Sequence, residues 1–146
     1  MDDEVPDLPQ QAAAIAVRRH GRDLQVCLIR RRNATTWGVP KGLIDPGETP
    51  EETALKESWE EAGLRGRVIG NAIGTYTYAK WGTTFSVAVY VMEVLEAADT
   101  WEEAELRERR WTSFGAASSL LGDHPVRSLL ERARGLSATA IPETTD

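Results

Sequence analysis

The 146-residue sequence contains a single cysteine, Cys27. One thiol excludes an intramolecular disulfide framework and a cysteine-rich zinc site. Its setting in the apolar run LQVCLI marks it as a small buried hydrophobe rather than a nucleophile. No apolar run reaches transmembrane length, and the first ten residues, MDDEVPDLPQ, lack the basic and apolar parts of a secretory signal. A soluble, cytoplasmic protein without a membrane partner is the expectation. Positive charge is in deficit: 17 Lys and Arg against 23 Asp and Glu give a formal net charge of −6. That balance argues against a broad nucleic-acid or anionic-membrane surface, while leaving room for local basic clusters. Internal repeats and low-complexity runs are absent too, which removes solenoid architectures.

What remains is enough for one domain with a substantial core, given 41% hydrophobic residues. The expected organisation is a flexible leader over 1–10, a single domain over 11–135 and a flexible tail over 136–146, where SATAIPETTD reads as disordered. AAAIAVRR and LQVCLIRR read as two strands around the turn HGRD, the second buried on both faces. TTWGVPKG is a short extended piece. From Gly42 to Pro50 the Gly, Pro and Asp content marks a loop, after which Thr49 as N-cap, Pro50 at the first helical position and Glu52 in a capping box predict a helix running to Ala62. Gly63 then fits the C-terminal stop. The β-branched and aromatic stretch 67–94 predicts two or more strands with a turn near Lys80 to Gly82. RERRWTSF is a further strand, GAASSLL a helix, and a last helix runs from Pro125 to Arg134. Strands interleaved with helices predict an α/β (α+β) domain with a mixed sheet covered by helices.

The helix LKESWEEAG carries an anomaly. Glu57, Glu60 and Glu61 lie on one face at roughly 100° per residue, near a C-terminus whose dipole disfavours acids. Like charges at these spacings cost a few tenths of a kcal/mol each. Clustered carboxylates of this kind suit a hard divalent cation. Alone, an acidic helical face is more often simply solvated. Ala54, Leu55, Ser58, Trp59 and Ala62 form the packing face, and Lys56, four residues from both Glu52 and Glu60, is placed to orient the acids.

The preceding loop gives the face its meaning. From Gly42 to Leu64, GLIDPGETPEETALKESWEEAGL resembles the Nudix box: Gly, five residues, Glu, seven residues, then Arg-Glu-U-x-Glu-Glu-x-Gly-U, where U is a bulky aliphatic. Gly42, Glu48, Glu57, Glu60, Glu61, Gly63 and Leu64 match at every spacing. Two positions depart. Lys56 stands where the family has Arg, offering a point charge in place of a rigid fork, and Ser58 replaces an aliphatic residue within the packing face, where its hydroxyl would bond back to the Ala54 carbonyl.

The resemblance implies a Nudix-type α/β/α sandwich and a pyrophosphohydrolase using Mg²⁺ or Mn²⁺. The metal would be held by Glu57, Glu60 and Glu61, which also carry the catalysis, together with the backbone carbonyl of Lys41; Gly42, Glu48 and Lys56 would support the site. The later stretch 101–133 is similar to diphosphoinositol polyphosphate phosphohydrolases and diadenosine polyphosphate hydrolases, which makes Arg32, Lys41, Arg107 and His124 the implied substrate contacts. The implied substrate is a small-molecule polyphosphate. Inositol-directed members carry basic residues on the first strand and QQAAAIAV carries none, so dinucleoside polyphosphates are favoured over diphosphoinositol polyphosphates. Trp37, Tyr76, Tyr78 and Trp81 are aromatic candidates for stacking an adenine, although strand aromatics are more often core. Glu102, Glu103, Glu105 and Glu108 are candidates for a late carboxylate near the metals, though mostly they are expected to be solvated. The alternatives are a nucleotide-binding sensor with little turnover and an RNA 5′ pyrophosphohydrolase. The oligomeric state stays open between monomer and homodimer.

Overall fold

A computed structural model describes residues 8–143. The chain runs β1 (Gln11–His20), β2 (Asp23–Arg31), β3 (Lys41–Leu43), α1 (Pro50–Ala62), β4 (Leu64–Lys80), β5 (Thr83–Ala97), β6 (Arg107–Ser113), α2 (Phe114–Leu121), a 3₁₀ segment (Pro125–Leu129) and α3 (Leu130–Ala140). Strands order as β4-β5-β1-β2-β6, with β3 paired to β1. The β1–β5 pairing is parallel and the others antiparallel, so the sheet is mixed.

Strand alternation sorts the central strands between two cores. Ala13, Ile15, Val17, Val26 and Leu28 face α2, the 3₁₀ segment and α3. Ala12, Ala14, Ala16, Cys27 and Ile29 face the other way, onto Ala54 and Ala62 of α1. The result is three layers, with a sheet between helices, as the sequence predicts. Alanine on three successive inward positions of β1 leaves no bulk under α1, so the helix lies close to the sheet end that carries β3.

α1 begins and ends where the sequence places it. The Thr49 side chain accepts from the Glu52 N–H at 3.1 Å and the Glu52 carboxylate accepts from the Thr49 N–H at 2.8 Å. Gly63 adopts φ 67°, a left-handed conformation that favours glycine, and its N–H reaches the Trp59 carbonyl at 3.0 Å. The remaining C-terminal carbonyls are met from the late segment: Trp101 Nε1 donates to Glu61 O at 3.0 Å and Arg109 to Ala62 O at 2.7 Å.

At the C-terminal end the expected boundary moves. Residues 125–129 form 3₁₀ rather than α-helix, and α3 continues to Ala140, past the expected domain limit at 135. Ser137 and Ile141 are buried, and Arg19 ties the end down by donating to the Ala138 and Ile141 carbonyls. This long-range anchor supports the weaker helix formers Ser137 and Thr139, which alternate with the strong formers Ala138 and Ala140. Of the expected leader and tail, residues 1–7 and 144–146 lie outside the described residues; Gln10 bonds Ser86 through both its backbone and its side chain.

Candidate active site

The acidic face of α1 resolves its repulsion locally. Glu57 and Glu61 share a hydrogen bond in which the Glu57 carboxyl is the donor. Burial, followed by the charges of Glu61 and Glu60, pushes the Glu57 carboxyl up to about 8. Glu61, 8% exposed, is also raised by burial, against the pull of Arg107 and the Lys41 N–H. That N–H donates to Glu61 Oε1 at 3.2 Å, and Arg107 Nη2 stands 3.6 Å from Oε2. A shared proton, a guanidinium and a backbone amide therefore answer the crowding. Glu60 contributes charge but does not join them; among the described residues no three acidic, histidine or cysteine side chains form a ready metal cluster.

Gly42 belongs to the same arrangement. A Cβ at this position would overlap the Glu57 carboxyl, so the absent side chain is the space into which that carboxyl fits. Two partly desolvated carboxylate groups, one cradled against a glycine, form an oxygen donor set of the hardness that Mg²⁺ or Mn²⁺ prefers. The residues fit a hard divalent ion, with Glu60 the third carboxylate nearby.

The loop before α1 is tied to the helix by Lys56. Its ammonium lies 2.7 Å from Glu48 Oε2 and 3.0 Å from Asp45 Oδ2, and Glu48 also accepts from the Thr53 hydroxyl and the Asp45 N–H. Lys56 thus binds acids of the loop rather than its helical neighbours Glu52 and Glu60, because the turn at Pro46–Gly47 brings Asp45 and Glu48 together over it. These bonds hold the Glu48 carboxyl below its ordinary range and the Lys56 ammonium above its own. Ser58 is fully buried and donates to the Ala54 carbonyl at 2.8 Å, as the sequence predicts.

Beside Glu61 opens a cavity of about 260 Å³, whose polar wall is made by Arg30, Arg31, Lys41, Arg107 and His124. Arg30, Arg31, Lys41 and Arg107 share this wall with the single carboxylate of Glu61. Of the expected substrate contacts, Lys41, Arg107 and His124 line this cavity together. Arg32 does not: β2 ends at Arg31, and the Arg32 side chain turns away to donate to Ala104 O at 2.8 Å, leaving Arg30 and Arg31 of the same basic run in the wall. Two acids expected in solvent neutralise these cations, Glu103 bonding Arg107 at 2.6 Å and Glu108 bonding Arg30. Glu102 and Glu105 are exposed.

His124 Nδ1 accepts from the Val126 N–H at 3.0 Å, which assigns the ring proton to Nε2, and Nε2 lies toward Gly38 in the cavity wall. Burial, then the Lys41 charge, lowers the His124 pKa, so the ring is a neutral donor. The ring meets Tyr76 edge-on at 5.6 Å. Of the four aromatic candidates, Trp37 and Tyr76 are buried, and Arg30 covers Trp37 at 4.4 Å. Tyr78 stacks on Phe85 and holds Lys41 through its hydroxyl; Trp81 is 85% exposed. The sequence did not point to Asp45, Arg30, Arg31 or the pairing of Glu103 with Arg107. Only the arginine pair had a visible signal, in IRRR.

The NUDIX domain family model matches residues 8–132. MutT4 of Mycobacterium tuberculosis is 35% identical over 120 residues, covering 75% of this chain; the chain spans 47%, about half, of that relative's length. Human diphosphoinositol polyphosphate phosphohydrolase 3-alpha is 30% identical, with 82% of this chain and 73% of the relative covered. Among solved structures, a Caenorhabditis elegans Ap4A hydrolase binary complex superposes with a TM-score of 0.77 at 20% identity, covering 90% of this chain and 99% of the other, a likeness of fold.

Proposed function

The chain belongs to the NUDIX domain family, and from that premise we propose that it is a divalent-metal-dependent pyrophosphohydrolase that cleaves a phosphoanhydride of a dinucleoside polyphosphate of the diadenosine type. Diphosphoinositol polyphosphates are the second substrate class. The observation that carries the reading is the partly buried Glu57–Glu61 pair set beside a cavity walled by Arg30, Arg31, Lys41, Arg107 and His124. Acidic oxygens for a metal and cations for phosphate thus stand within one site.

Glu57, Glu60 and Glu61, with the Lys41 backbone carbonyl, are the residues that would hold Mg²⁺ or Mn²⁺. Such an ion, when bound, supplies charge neutralisation of the polyphosphate and acidification of a water molecule. The remaining work falls to the chain. Arg107, Arg30, Arg31 and Lys41 draw the phosphates in and orient them. His124 adds an N–H donor that carries no charge at neutral pH, so it fixes a phosphate oxygen without competing for a proton. One of the box glutamates would accept a proton from the attacking water. The Lys56–Glu48–Asp45 tie keeps loop and helix in register while this occurs.

Dinucleoside polyphosphates take precedence because Gln11 to Val17 of β1 carry no cation. Phosphate-release assays with diadenosine tetraphosphate, a diphosphoinositol polyphosphate and a 5′-diphosphorylated RNA, each with Mg²⁺ and Mn²⁺, test the proposal. Turnover is expected with the first, and a loss of about 10²-fold or more in Glu57→Gln and Glu61→Gln. Binding of the dinucleotide without turnover in the parent protein would make the chain a sensor instead.

A further inference from the structure

The β4–β5 hairpin ends in a turn that its own sequence does not favour. Lys80 pairs with Thr83, leaving Trp81 and Gly82 as a two-residue loop with φ 53° and 74°. Both angles are positive, the type I′ geometry for which Asn-Gly or Asp-Gly is the relaxed choice. Trp81 is the only non-glycine residue with positive φ among the described residues, and a bulky side chain in that region is strained. The same residue is 85% exposed, so no packing of the fold pays for its conformation.

The surroundings say what the ring is for. The β4–β5 register is unbroken from Gly74 to Lys80, so Tyr76, Tyr78 and Lys80 lie on one face of β4. Tyr76 meets His124 and Tyr78 meets Lys41, both of which line the cavity. Lys80 continues that face outward, with its ammonium 4.4 Å from the centre of the Trp81 ring. Tyr76, Tyr78 and Lys80 therefore form one strip of β4 that leads from the residues touching His124 and Lys41 of the cavity wall out to Trp81. Its length from Tyr76 to Lys80 is about 14 Å, a span for a chain of several phosphates.

We infer that Trp81 is a stacking platform for a planar aromatic group, a nucleobase, carried by the substrate beyond the phosphates held in the cavity, with Lys80 contacting the connecting phosphates. This rests on the reading of the site as a polyphosphate hydrolase and names a specificity-determining residue within it. A base presents a π-face whatever its identity, so the platform selects for a base without selecting which.

The full chain is compared with Trp81→Asn and Trp81→Phe. Asn-Gly relaxes the turn, so Trp81→Asn is expected to raise the melting temperature, and at the same time to raise KM for diadenosine tetraphosphate about tenfold with kcat little changed. Trp81→Phe, which keeps a ring, falls between. KM for a diphosphoinositol polyphosphate, which has no base, stays constant across all three. An unchanged KM for the dinucleotide in Trp81→Asn, or an equal rise for both substrates, overturns the inference. If the parent turns over neither substrate, the hydrolase reading fails on its own. Quenching of tryptophan fluorescence by ATP then decides the platform: loss of quenching in Trp81→Phe supports it, and equal quenching overturns it.

Discussion

Tyr76 is only 7% exposed, and its hydroxyl finds no hydrogen-bond partner among the described residues. Leaving a buried donor unpaired costs more than removing it. Tyr76→Phe is therefore expected to stabilise the protein by about 1 kcal/mol, seen as a higher urea midpoint at constant slope. The opposite is expected at Gly42, where a methyl group collides with the Glu57 carboxyl. Gly42→Ala should cost about 1–3 kcal/mol in the same measurement and weaken Mn²⁺ binding in a calorimetric titration. At this scale the sequence was legible wherever the partner is a near neighbour along the chain. Ser58 bonding Ala54 followed from helical spacing alone. Lys56 did not, because its partners Asp45 and Glu48 are fixed by a loop path that no periodicity describes.

Among the elements, α1 concentrates the chemistry and its electrostatic cost. Burial raises both carboxyls of its Glu57–Glu61 pair above the ordinary range in the folded state, Glu57 to about 8. A carboxyl whose folded pKa is raised favours folding below its unfolded pKa, near 4.5, and the contribution is lost as pH rises through the folded value. In EDTA, the melting temperature is therefore expected to fall between pH 5 and 8. Glu57→Gln, which keeps a donor toward Glu61 and removes the titration, should flatten that fall; an unchanged slope would remove Glu57 as its cause. The start and stop of α1 were plain in the sequence because Thr49, Pro50, Glu52 and Gly63 are local signals. The end of α3 was hidden: Ser137 and Thr139 dilute the helical signal of Ala138 and Ala140, and the holding contact comes from Arg19, far away in β1.

For the molecule as a whole, two apolar cores on either side of one mixed sheet make the three layers, and this much follows from alternation and capping in the sequence. Cys27 sits inside the core under α1, where burial pushes its thiol up to about 12. Modification by a thiol reagent at pH 8 should therefore track global unfolding. Addition of urea would accelerate it in step with the loss of tryptophan signal, whereas fast labelling of the native protein would contradict the burial. No helix of the described residues is long and apolar enough to cross a membrane. The cavity itself was only half legible, since Arg30, Arg31, Lys41, Arg107 and His124 lie on four segments that the topology alone brings together.

Glu61 is reached by Lys41 from one side of the chain and by Arg107 from the other, with the hairpin turn at Trp81 and Gly82 between them in sequence. A backbone cut at that turn would leave one piece with the acids and Lys41, the other with Arg107 and His124. Neither piece holds a working centre, so turnover becomes a reporter of reunion between the two halves.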